Sequence, residues 1–185
     1  MRIVLDSRHY DRSISEEIFK AYKMDRIPYK EEVAITSFSE VNNEQLMWAH
    51  YAGSYSGFCI EYDFSKSCDS AFLRGTAKVE YTNEKPCKDQ FDDMGEYESK
   101  VMLTKSECWS YEKEWRSRKI AEYGLWKSKI YPIIDAHSCI TAIYLGCNMP
   151  DEYQKVIIDH YRNTEVKVFQ MKLCDDKFDM YFEQC

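Results

Sequence analysis

The spacing of apolar positions changes several times along the chain, and each change marks an element. Over residues 11–24, Ile14, Ile18, Ala21 and Tyr22 recur at spacings of three and four, which predicts an amphipathic helix that Pro28 closes off. Residues 33–38 are rich in β-branched side chains and predict a strand. After a turn at Ser39 and Glu40, Leu46, Met47, Trp48 and Tyr51 form one face of a short helix from about residue 43 to 51. Gly53 and Gly57 bracket a loop, and Phe58–Tyr62 predicts the next strand. Residues 78–82 alternate cleanly, as a half-buried strand does. From about 91 to 108 the chain is polar with a weak helical stripe through Tyr97, Val101 and Met102. Residues 109–121 fit either period, with a strand expected from about Lys113 onward. Strands are predicted at 129–134 and 140–145, a helix at 150–161 and a last strand at 165–172.

Strands outnumber helices in this order and do not strictly alternate with them. That predicts an α+β fold with a mainly antiparallel or mixed sheet and flanking helices. A chain of 185 residues is expected to form a single domain over 1–185.

Composition adds one unusual feature. Hydrophobic residues make up 44%, the globular norm, but 15% of the chain is aromatic. The rings concentrate in residues 38–64 and 97–131, which hold all four tryptophans. The net charge of -7 gives no basic footprint, so nucleic acid is not indicated as a partner. No run of 18 apolar residues occurs, so no membrane partner is expected. Asp6 and Arg8 follow Met1 closely and leave no apolar leader segment, which predicts a cytoplasmic location. The eight cysteines are then expected as thiols, and none stands at zinc-ligand spacing. No metal site is expected.

Two segments combine rings with charged groups. The first holds Trp48, His50 and Tyr51; the second holds Lys105, Trp109, Glu112, Glu114 and Arg116. Rings, cations and carboxylates in one cleft hold a flat polar ligand by stacking and directed hydrogen bonds. The same residues also suit an aromatic core with ionic ends, in which Glu112 and Glu114 pair with Arg116 and Arg118. Neither pattern rules out the other. The approach of Glu112, Glu114 and Lys119 to a metal-dependent nuclease core is distant.

These segments also carry a resemblance. Phe38-Ser39, Met47-Trp48-x-His50-Tyr51, Gly57-x-Cys59-Ile60-x-Tyr62, Val79-x-Tyr81, Lys105, Trp109-x-Tyr111-Glu112-x-Glu114-Trp115-Arg116 and Ile143-Tyr144-Leu145-Gly146 resemble the domain-of-unknown-function family 2971. The likeness spans about 33–146. It implies a protein of bacterial or phage type with no established activity and an unknown cofactor; the family's suspected similarity to ADP-ribosyltransferase-like domains would make NAD the substrate. In that chemistry Glu114 or Glu112 bonds the ribose and steadies positive charge as nicotinamide leaves. Tyr51 or Trp48 supplies the ring, and Arg116 and Lys105 meet phosphate. The family's opening Asn-Asp-Pro-Phe-like segment has no counterpart here, and His9-Tyr10 only echoes its aromatic motif. The chain is therefore expected to lack an N-terminal part of the family domain. The alternative is a non-catalytic module that binds a small molecule, a nucleotide or a protein.

Overall fold

The structure is a computed structural model and describes residues 2–3, 33–66, 73–87, 94–120 and 136–185. Its strands are β1 (Arg2–Ile3), β2 (Val33–Ser39), β3 (Phe58–Tyr62), β4 (Thr76–Lys78), β5 (Glu80–Tyr81), β6 (Thr104–Lys105), β7 (Glu114–Ile120), β8 (Ile140–Leu145), β9 (Lys167–Leu173) and β10 (Met180–Gln184). The helices are α1 (Gln45–Tyr51), α2 (Met94–Leu103) and α3 (Asp151–Tyr161), and short 3-10 turns at Glu107–Glu112 and His137–Cys139 lead into β7 and β8. The expected helix at 11–24 and strand at 129–134 lie outside the described residues.

Eight strands form one sheet in the order β10-β9-β8-β3-β1-β2-β7-β4, and β5 pairs with β6 in a small second sheet. The neighbours in the large sheet are antiparallel except β8 and β9. A parallel pair needs a crossover, and α3 supplies it. Asp151 and Glu152 open that helix, where negative charge complements its dipole. The architecture is α+β with a mixed, mainly antiparallel sheet, as the element order predicts. Among the described residues no helix is long and apolar enough to cross a membrane.

Register decides what each face carries. Arg2 stands opposite both Ser39 and Glu61, Ser39 opposite Glu114, and Cys59 opposite Tyr144. Side chains alternate along a strand, so Cys59, Glu61 and Tyr144 share a face with Ser37, Ser39, Glu114 and Arg116. On this face Trp48, Cys59, Ala142, Tyr144, Met171 and Met180 form a buried cluster. Tyr144 stacks on Phe169 at 5.1 Å and meets Phe182 edge-on at 4.8 Å. The opposite face buries Ile143, Leu145, Met149 and Val168 under Ile157, Ile158 and Tyr161. One sheet therefore has an apolar half and a polar half on a single face, and α1 rests between them. A seven-residue helix is marginal alone, and α1 is held by burying Met47 and Trp48.

The structure corrects the sequence expectation in four places. The single strand at 78–82 is two strands, because Val79 leaves one ladder before Glu80 joins the other; its amide donates to the Glu114 carbonyl at 2.9 Å. The helix expected over 91–108 stops at Leu103, and β6 and a 3-10 turn follow. Beyond 172 a further strand, β10, pairs with β9; its acidic surroundings and mostly exposed side chains hide it from a burial pattern. Cys139, expected as a thiol, is disulfide-bonded, whereas Cys59, Cys87, Cys108, Cys147, Cys174 and Cys185 are free. The fold, not the sequence spacing, sets which sulfurs meet.

Candidate functional site

The site is built around a reversal of the backbone. The 3-10 turn ends at Glu112, Lys113 adopts a left-handed conformation (φ 44°, ψ 53°), and β7 begins at Glu114. A left-handed residue with a Cβ costs about 1–2 kcal/mol, so its neighbours must hold it. Four hydrogen bonds do so. The Glu112 carbonyl accepts from the Ser39 hydroxyl at 2.7 Å. The Glu114 amide donates to the Tyr81 hydroxyl at 2.7 Å. The Lys113 amide donates to the Ser110 carbonyl, and the Lys113 carbonyl accepts from the Glu40 amide at 3.2 Å.

The reversal sends two carboxylates to one place. Glu112 and Glu114 are each only 4% exposed, and Lys105 bridges them. Its ammonium donates to Glu112 Oε2 and, at 3.0 Å, to Glu114 Oε2. Arg116 grips Glu114 with Nε at 2.8 Å from Oε1 and Nη2 at 3.1 Å from Oε2, and its Nη1 donates to the Met102 carbonyl. Two buried anions are thus matched by two cations, which offsets their desolvation. Burial pushes the Glu114 carboxyl up, but hydrogen bonds from Arg116 and Ser37, the Arg116 charge and Lys105 outweigh it, and its pKa lies below the usual value. Burial raises the pKa of the Tyr81 phenol against the opposing pull of the hydrogen bond from the Glu114 amide.

The remaining partner comes from α1. The Tyr51 hydroxyl donates to Glu112 Oε1 at 2.6 Å. Beside it runs a shelf of rings: His50 lies 6.1 Å from Tyr51 and 6.3 Å from Trp109, and Trp109 lies 6.0 Å from Tyr111. The Lys105 ammonium sits 5.1 Å from the centre of the Trp109 ring, within cation–π range.

Tyr51 also borders a cleft of about 260 Å³, which Val41, Glu44, Trp48, Phe58 and Ile60 help to line. The loop after α1 forms part of its wall. Gly53, Ser54 and Tyr55 all have positive φ (55°, 54° and 69°). Gly146 fixes this loop, since a Cβ there would lie 2.0 Å from the Tyr55 carbonyl oxygen.

Of the residues singled out from sequence, Glu112, Glu114, Lys105, Arg116, Tyr51, His50 and Trp109 meet in this region. Trp48 is placed differently. It is buried, packs against Phe182, and its indole N–H donates to the Asn42 carbonyl, so its ring serves the core as well as bordering the cleft. Three further residues belong to the site: Ser37, Ser39 and Tyr81. Two-residue alternation in Ser37-Phe38-Ser39 was the available signal for the serines, and Val79-x-Tyr81 for the tyrosine. Among the described residues no group of His, Cys, Asp and Glu is placed to hold a metal ion.

The family model described as protein of unknown function (DUF2971) matches residues 47–117. That stretch contains Tyr51, Tyr81, Lys105, Glu112, Glu114 and Arg116, and it agrees with the resemblance read from the motifs. No curated protein and no solved structure matches the chain.

Proposed function

We propose that the chain is an NAD-using enzyme of the ADP-ribosyltransferase-like kind, in which Glu112 steadies positive charge on the ribose as nicotinamide leaves. One observation carries the reading. A left-handed Lys113 presents two buried carboxylates side by side, and one of them is hydrogen-bonded to a tyrosine that borders a cleft. In this reaction the bond from ribose C1′ to the nicotinamide nitrogen breaks, and its electron pair leaves with nicotinamide. Water or an acceptor nucleophile gives a pair to C1′ and loses a proton. A preorganised carboxylate stabilises the charge that develops between the two events.

The two glutamates divide the work. Glu114 is tied on both oxygens by Arg116 and Lys105, which anchors the start of β7. Glu112 is the member joined to Tyr51 and hence to the cleft. Arg116 is committed to Glu114 and Met102 through three nitrogens, and Lys105 to Glu112 and Glu114 through two of its three ammonium protons, so contact with phosphate falls to the third proton of Lys105. The test is release of nicotinamide from labelled NAD by the full chain. Release by the unaltered protein and its loss in Glu112→Gln support the reading. No release, or equal release by a folded Glu112→Gln variant, sinks it.

A second reading, a non-catalytic binding module, has its own support. Each carboxylate oxygen of Glu112 and Glu114 already has a partner within the protein, as in a structural ion-pair network. On this reading NAD and ADP-ribose leave the melting temperature unchanged, and a protein partner is recovered in a pull-down.

A further inference from the structure

We propose that the outer edge of β10 is a docking surface for a second copy of this chain, which lays its own β10 antiparallel on it and joins the two large sheets. This contact is independent of the chemistry at Glu112. The direction of the backbone hydrogen bonds is the first argument. β10 ends the order of strands in the large sheet. The Cys174 amide donates to the Asp179 carbonyl, and the Cys185 amide to the Val168 carbonyl, each at 3.0 Å. Odd-numbered residues therefore bond to β9, and the backbone groups of Met180, Phe182 and Gln184 point away from it. Asp179 Oδ1 accepts from the Met180 amide at 2.8 Å. Among the described residues no strand pairs with the rest of this edge.

The second argument is the lack of protection. Sheet margins are guarded by short strands, lysines, prolines and bulges. The opposite margin is guarded: β4 has three residues and ends at Lys78, which pairs with Glu40. β10 has five residues, holds neither Lys nor Pro, and keeps its register with β9 without a shift. Tyr181 is 47% exposed, and Leu173, opposite Met180 on β9, is 51% exposed.

Self-complementarity is the third. A two-fold axis at Phe182 sets Phe182 against Phe182 and Gln184 against Met180. Each Phe182 amide then donates to the Phe182 carbonyl of the other copy, and each Gln184 amide to its Met180 carbonyl. On one face the Phe182 side chains become neighbours. On the other, Tyr181 stands opposite Glu183, a neutral hydroxyl against a carboxylate. Moving the register by two residues sets Glu183 against Glu183, and like charges directly opposite destabilise a pair. That leaves the Phe182-centred register as the favoured one. The net charge of -7 on each copy opposes the contact at long range, so rising salt should tighten it.

The test is sedimentation equilibrium of the full chain up to about 1 mM, enough to populate a complex of millimolar affinity. A reversible monomer–dimer equilibrium is expected, and amide exchange at Phe182 and Gln184 should slow as concentration rises. Gln184→Pro removes an outward amide and places a ring on the edge while sparing the bonds to β9, so it should weaken the dimer by about tenfold or more with the melting curve unchanged. Tyr181→Glu puts a carboxylate opposite Glu183 at both ends and should weaken it by about threefold or more. Should Gln184→Pro not fold, Tyr181→Glu decides. A chain that stays monomeric overturns the proposal and leaves the edge to a strand of another protein. A dimer that survives the folded variants at full strength, or that forms without protecting the Phe182 and Gln184 amides, overturns it as well.

Discussion

The Tyr51 hydroxyl lies 2.6 Å from Glu112 Oε1, across 61 residues of sequence and between a helix and the turn before β7. This one bond joins the apolar cleft to the buried charge network. Replacing Tyr51 with Phe keeps the ring and removes the donor. A hydrogen bond to a charged group contributes about 1.5–3 kcal/mol, so Tyr51→Phe should lower unfolding free energy by that order in urea titration. A loss below about 0.5 kcal/mol would mean that water replaces the hydroxyl at no cost.

Lys113 gives a prediction of opposite sign. Its left-handed conformation suits glycine, so Lys113→Gly should be neutral or stabilise by up to about 1 kcal/mol, with the strain partly exchanged for chain entropy. Lys113→Val, β-branched at positive φ, should destabilise by about 1–2 kcal/mol or more. The denaturation midpoint should stay at or above the parent value in Lys113→Gly and fall below it in Lys113→Val.

Acid should weaken the network through Glu114. Its pKa is lowered on folding, so its contribution is fully present above the unfolded-state value of 4.5 and disappears as pH falls through the lower folded value. Melting temperature followed from pH 6 downward should drop below about pH 4.5, and the drop should be shallower in Glu114→Gln. Equal slopes in both proteins would show that other carboxylates carry the acid sensitivity.

Gly146 closes the approach of β8 to the loop after α1, with its amide 2.9 Å from the Gly57 carbonyl oxygen. A methyl group placed 2.0 Å from the Tyr55 carbonyl oxygen must push backbone aside. Overpacking of this kind costs about 1–3 kcal/mol. Gly146→Ala should lose at least that in chemical unfolding and should loosen the cleft wall, seen as faster amide exchange at Gly57.

Much of the fold was legible because periodicity reports burial. Phe58–Tyr62 and Ile140–Leu145 are bounded in the structure as their apolar runs predict, and α3 follows its charged start. What escaped was set by tertiary contacts. Val79 breaks its strand because two ladders compete for neighbouring residues. β10 has one buried residue, Met180, and so leaves almost no pattern. At the site, the clustering of Glu112, Glu114 and Arg116 was readable from their spacing of two, which runs from the end of the 3-10 turn into β7. The roles of Ser39 and Tyr81 were not, since both act on backbone groups of a left-handed turn that no local sequence signal marks. Trp48 carries the motif, yet its ring also serves the core.

The register of the large sheet has a consequence for how the chain reaches this state. β2 pairs with β7, joining Ser39 to Glu114, and β3 pairs with β8, joining Tyr62 to Ile140. Such distant partners make collapse slow, because loop closure must precede the contacts that reward it. During synthesis β2 and β3 emerge long before the strands that cover them, with unpaired edges and apolar side chains in water. The stretch from β8 to β10 has no such wait, since its partners are near neighbours in sequence. The carboxylate pair is therefore assembled late, and nascent chains of this protein should depend on chaperones for as long as β7 and β8 are still unmade.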